Sequence, residues 1–250
     1  MVGGFEVDSQ LPPPGDSYRP FATENRHQHT SWFFAAADAA MIRLRQVLSA
    51  LYFVLLLPAV NGWGKGDVHR GKELYASCIP CHGTDGGGNV ANSTPRLTNQ
   101  HAWYLVRQLK NFKKGLRGYH TNDVYGIQMR VLADALEDDA VVDDVVAYIQ
   151  TLDSPESPPS VGGNPKRGKA HYKACRSCHG GRGEGKKSLF TPRINHQHDW
   201  YLLRQLMNFR GDFRGTHPTD NYGGRMWAAA RAIPDDETVR DIVGYVKSLD

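Results

Sequence analysis

Cysteine is scarce. The chain has four in 250 residues, and all four sit inside two short words, "CIPCHGTDG" from Cys78 and "CRSCHGGRG" from Cys175. No thiol is left over for a disulfide framework. Charge of one sign is also missing: 30 Lys and Arg stand against 26 Asp and Glu, a spread-out +4 that argues against a nucleic-acid partner. A long hydrophobic run is absent as well. The longest, Val47 to Val60, is about 14 residues, where a bilayer span needs ~20. Neither half holds a convincing run of strand alternation, which disfavours β architectures and a thioredoxin-like βαβ unit.

The apolar run is best explained by export. Arg43 and Arg45 precede it and Val60-Asn61-Gly62 follows as a small-residue cleavage site, so residues 41–62 read as a signal peptide. A retained N-terminal anchor, with membrane association through residues 47–60, is the alternative. Residues 1–40 carry proline and polar side chains without periodicity. They read as a disordered extension or as sequence upstream of a true start at Met41, and they are left out of the fold.

What is present is a repeat. A shift of 97 positions maps Cys78 onto Cys175, His82 onto His179, Pro95 onto Pro192, Trp103 onto Trp200 and Met129 onto Met226. Residues 66–153 and 163–250 align without a gap, with about 40 identities over the aligned length, which is duplication. Between them, residues 154–162 form a linker rich in proline and serine. Each copy reads as helical. A first helix covers 67–78. A second, from His101 to Lys114, carries Leu105, Leu109, Phe112 and Leu116 at helical spacing. The last opens at Asp138 or Asp139 and buries Val142, Val145, Ile149 and Leu152. Pro234-Asp235-Asp236 opens its counterpart. Ninety residues with three modest helices bury little apolar surface, so something large and apolar should complete each core.

A covalently attached c-type haem answers both the word and the deficit. Two thiols one helical turn apart suit thioether bonds to the two vinyl groups of a porphyrin, and the histidine that follows is placed to reach the iron. Cys78, Cys81 and His82 would hold one haem, and Cys175, Cys178 and His179 the other. A zinc site is the weaker reading: the pairs lie 97 positions apart, one in each copy, and zinc leaves both histidines unexplained.

For the sixth iron position the repeat offers Met129 and Met226, each after a Tyr-Gly pair and read as lying in a glycine-bearing loop. Met207 maps onto Lys110 and reads as core filler. His120 and His217, in the loop before each methionine, are the rivals. His101 and His198, at the start of the amphipathic helix, read as capping or polar residues.

These motifs, "RGKELYASCIPCHGTDG", "TPRLTNQHAWYLVRQLKNFKKGLRG", "YGIQM" and "DDVVAYIQTL", recur in both halves in the same order. The chain resembles the di-haem class I cytochromes c of the cytochrome c₄ type. It is also similar to the haem modules fused to subunit II of some bacterial cytochrome c oxidases. The resemblance implies an all-α fold of two tandem class I cytochrome c domains, two covalently bound haem c groups, and an electron carrier without substrate chemistry. It implies redox protein partners, namely a quinol-oxidising complex or dehydrogenase on one side and a terminal oxidase on the other, in the periplasm. It further implies that the carbonyls of Pro95 and Pro192 accept hydrogen bonds from the ligand histidines. Arg96, Trp103 and Tyr104, with Arg193, Trp200 and Tyr201, would face the haem propionates. The first and last helices would cross at Gly71, Tyr75 and Tyr148. A haem subunit of a membrane-bound oxidase or dehydrogenase, and a di-haem peroxidase, remain the alternatives.

Overall fold

The computed structural model describes residues 66–250. The proposed signal peptide and the segment before it lie outside the described residues. Helices account for nearly all of the regular structure. In the first repeat these are α1 (Val68–Tyr75), α2 (Ile79–His82), α3 (Ala102–Lys113), α4 (Val124–Asp134) and α5 (Asp139–Ile149). In the second they are α6 (Pro165–His171), α7 (Arg176–His179), α8 (Asp199–Arg210), α9 (Asn221–Arg231) and α10 (Asp236–Lys247). Among the described residues, extended pairing is limited to two isolated bridges, Asn89 with Thr94 and Lys186 with Thr191. No described helix is long and apolar enough to cross a membrane.

Helix starts follow side-chain chemistry. The carboxylates of Asp67 and Asp138 cap α1 and α5, while Asn164 and Asp235 do the same for α6 and α10. Each satisfies backbone N–H groups that have no partner inside the helix. The last helix crosses the first in both repeats, α5 on α1 and α10 on α6. Glycine allows the approach. A Cβ on Gly71 would sit inside contact distance of the Asp144 carbonyl, and one on Gly168 would do the same at Asp241. Beside the crossing, Tyr75 packs on Tyr148 at 5.4 Å between ring centroids, and Tyr172 on Tyr245 at 5.2 Å.

The methionines sit otherwise than expected. Met129 lies on α4 and Met226 on α9, both well inside helices and not in a loop. Asp123 and Asp220 start these helices by accepting from the N–H groups of Gly126 and Gly223. A Cβ at either glycine would collide with the capping carboxylate. The Tyr-Gly pair therefore serves a cap and not a turn.

The linker is pinned down. Ser154 is buried and shares a hydrogen bond with Thr98 at 2.6 Å. Arg96 pairs with Glu156 at 3.1 Å and also donates to the Pro155 carbonyl. Ser160 and Val161 donate to the buried carboxylate of Asp199.

Candidate haem sites

Each Cys-x-x-Cys-His word forms one short helix, with Cys78 or Cys175 at its N-cap and the histidine as its last residue. His82 and His179 are buried. Their Nδ1 atoms lie 3.0 Å from the carbonyl oxygens of Pro95 and Pro192. A carbonyl only accepts, so Nδ1 carries the proton and the Nε2 lone pair is left for a ligand. Burial lowers the pKa of both histidines, although the proline contact opposes it, and this favours the neutral ring that metal ligation requires.

The chain around each word is tied from several sides. Tyr75 and Tyr172 donate their hydroxyls to the carbonyls of Gly83 and Gly180 at 2.9 and 2.8 Å. The hydroxyls of Thr94 and Thr191 donate to the carbonyls of Cys81 and Cys178. All four cysteines are free. Burial pushes the Cys78 and Cys175 thiols above the usual range, so they stay protonated.

Cys78 packs against the cluster of Tyr75, Leu105, Val145, Val146 and Ile149, and Cys175 against Tyr172, Ile242 and Val246. A flat apolar macrocycle bonded through the cysteines and capped by the imidazole fits the donor set and the apolar setting.

Between the repeats the contacts come in mirrored pairs. Gln100 bonds the backbone of Arg193 (2.9 Å to its O, 3.2 Å from its N), and Gln197 bonds that of Arg96 at 2.9 and 3.0 Å. His101 meets the Glu184 carbonyl at 2.9 Å, and His198 the Gly87 carbonyl at 2.7 Å. These two histidines stand at N-caps without capping through their rings, so their work is cross-repeat bonding. Arg117 donates to Gln108, Tyr201 and Gln205, while Arg214 donates to Gln205, Tyr104 and Gln108.

His120 stacks on Phe213 at 4.9 Å, and its Nδ1 accepts from Asn122 N–H. His217 meets the ring of Tyr119 and the hydroxyl of Thr219. Met207 is half-buried beside Arg210, as a filler residue would be. Arg96 departs from its expected role, because its guanidinium is engaged by the linker. The glutamines and arginines of this junction were missed by sequence reasoning. Their signal was identity between the repeats at Gln100, Arg107, Gln108 and Arg117, where no motif called for polar residues.

Duplicated helical domains of this build, each presenting a Cys-x-x-Cys-His turn backed by a proline carbonyl, define the class of c-type haem proteins. The cytochrome c family model matches residues 68–153 and again 165–250, and the chain belongs to that family. It is 33% identical over 199 residues to cytochrome c4 of Thiocapsa roseopersicina, covering 74% of this chain and 93% of that one. It is also 33% identical to the thiosulfate dehydrogenase electron acceptor of Stutzerimonas stutzeri strain A1501, over 69% of this chain and 79% of that protein. The crystal structure of reduced recombinant cytochrome c4 from Pseudomonas stutzeri matches with a TM-score of 0.57 at 25% identity. That match covers 74% of this chain and 100% of the other. The protein is thus a cytochrome c4-like electron-transfer protein with two covalently bound haem c groups, and not an enzyme.

Proposed function

We propose that this chain is an exported, periplasmic carrier that takes electrons from a quinol-oxidising complex or a dehydrogenase and delivers them to a terminal oxidase. In this reading residues 41–62 direct export, and the carrier consists of domains 66–153 and 163–250 joined by 154–162. Cys78 and Cys81 would hold the first haem through thioethers, with His82 and Met129 as its iron ligands. Cys175, Cys178, His179 and Met226 would do the same for the second. When bound, haem c supplies a one-electron iron couple.

The chain's own residues set the conditions for that couple. The Pro95 and Pro192 carbonyls orient each imidazole and raise its basicity. The observation that carries the reading is this pair of buried, identically bonded histidines, at 3.0 Å in both repeats. Met129 and Met226 are half-buried on equivalent helices, which supports equivalent roles. The competing histidines are engaged in contacts at the domain junction. The relative named as a thiosulfate dehydrogenase electron acceptor supports a dehydrogenase as donor.

Potentiometric titration of the purified holoprotein, followed by absorption spectroscopy, tests the reading. Two one-electron steps are expected, with both haems low-spin. Met129→Ala and Met226→Ala should each turn one haem high-spin and lower its midpoint potential. A variant with an unchanged spectrum would remove that methionine from the ligand set.

A further inference from the structure

Two half-buried arginines at the domain junction have no anionic partner among the described residues. Arg107, on α3, lies over the rings of Trp103, Tyr104 and Tyr222 at 5.1, 5.3 and 4.5 Å. Its Nη2 donates to the Phe190 carbonyl of the other repeat at 2.9 Å. Arg204, on α8, mirrors it. It lies over Tyr125, Trp200 and Tyr201 at 4.2, 5.2 and 5.5 Å and donates through Nη2 to the Ser93 carbonyl at 2.6 Å.

Three of the remaining nitrogens are stranded. Nε and Nη1 of Arg107 and Nε of Arg204 are buried without a hydrogen-bond partner. Among the described residues neither guanidinium has a carboxylate within ion-pair distance. Asp220 acts on Arg107, and Asp123 on Arg204, only through space, because each carboxylate is occupied as a helix cap. Burial accordingly lowers the pKa of both arginines. A buried guanidinium with unmatched N–H groups is costly, and the aromatic faces offset only part of the cost. The missing partner should be a carboxylate that arrives with something the chain binds.

We propose that Arg107 and Arg204 clamp haem propionates at the domain junction, each linking a haem carboxylate to the backbone of the opposite repeat. The proposal rests on the two-haem reading above. It transfers to Arg107 and Arg204 the role that sequence resemblance gave to Arg96, whose side chain is held by Glu156 and Pro155. It also makes each haem site answerable to the other half of the molecule: a change at Arg107 alters a guanidinium carried by one repeat and a hydrogen bond accepted by the other.

The test uses the full chain matured with its haems, in the wild type and in Arg107→Gln, Arg204→Gln, Arg107→Lys and Arg204→Lys. Mass spectrometry counts haems, and potentiometric titration gives both midpoint potentials across a pH series. Removing a cation beside a haem disfavours the reduced iron. Each Gln variant should therefore retain two haems and show a downward shift in potential. A carboxylate left without its guanidinium should begin to titrate near neutrality, adding a pH slope between about pH 6 and 8. Lysine, which keeps the charge but not the guanidinium's paired N–H groups, should restore only part of the shift, and a purely structural loss would restore none.

Gln variants with two haems and wild-type potentials across the pH series would overturn the proposal. If the Gln variants fail to accumulate, the Lys variants decide: a smaller downward shift supports the clamp, and wild-type behaviour refutes it. A wild-type chain lacking two covalent haems would sink the cofactor reading itself, a separate failure.

Discussion

His82 and His179 illustrate how much one hydrogen bond decides. The proline carbonyl fixes the tautomer, the tautomer frees Nε2, and burial keeps the ring neutral. The tyrosines that hold each word in place act similarly. Burial raises the pKa of Tyr75 and Tyr172 above the ordinary phenol value, so each hydroxyl stays protonated and donates to its glycine carbonyl. Tyr75→Phe should cost about 1–2 kcal/mol in chemical denaturation, because a partly buried carbonyl loses its donor. The same change at Tyr172 should cost a similar amount. A loss below about 0.3 kcal/mol at both sites would show that the carbonyls find water instead.

At the scale of elements, the crossing of first and last helices dominates each repeat. Gly71→Ala and Gly168→Ala should each destabilise by about 3 kcal/mol, since the added methyl meets backbone and not a flexible side chain. Thermal melts of the holoprotein would report it.

The α6–α10 crossing is also secured electrostatically. Hydrogen bonds from Arg167, at 2.5 Å, and from the Asn164 N–H hold the Asp241 carboxyl below its usual range. Asp199 is lowered too: burial alone would raise it, but the bonds from Ser160, Val161 and Trp200 prevail. A carboxylate depressed in the folded state adds stability above its unfolded pKa, ~4, and that stability is lost as pH falls through the folded value. The melting temperature should therefore hold near neutrality and decline below about pH 4, and Asp241→Asn should flatten the decline. An equally steep decline in that variant would assign it to other groups.

Helix legibility was uneven for a physical reason. The amphipathic α3 and the Asp-capped α5 were readable because periodicity and caps are local. Helix α4 was not, because Gly126 normally signals a turn. Here it is demanded by a carboxylate folding back onto the helix start, a contact visible only in three dimensions.

Over the whole molecule the halves differ. Residues 66–153 carry 9 basic against 11 acidic side chains, and residues 163–250 carry 16 against 9, so the halves stand at −2 and +7. The contrast reaches the Cys-x-x-Cys turns, where exposed Ile79 and Val90 are replaced by exposed Arg176 and Lys187. Electron transfer through the second domain to an acidic partner should slow as ionic strength rises, while transfer through the first should change little. Stopped-flow rates over a salt series would check this, and two flat profiles would discard steering by charge.

The amino-acid sequence by itself determined the duplication, the covalent cofactor and most helices, because the haem words and helices rest on residues close together in the chain and the duplication on comparing two such stretches. Only the tertiary structure decided that the linker is fastened by Glu156 between Arg96, His196 and Lys247. It alone placed the methionines on helices, and it alone brought Arg107 and Arg204 to the junction, where no carboxylate of the described residues pairs with them. Those outcomes depend on which side chains two folded halves press against each other. The residues concerned are up to 111 positions apart, as in the bond from Arg204 to Ser93, and no local pattern records such a pairing.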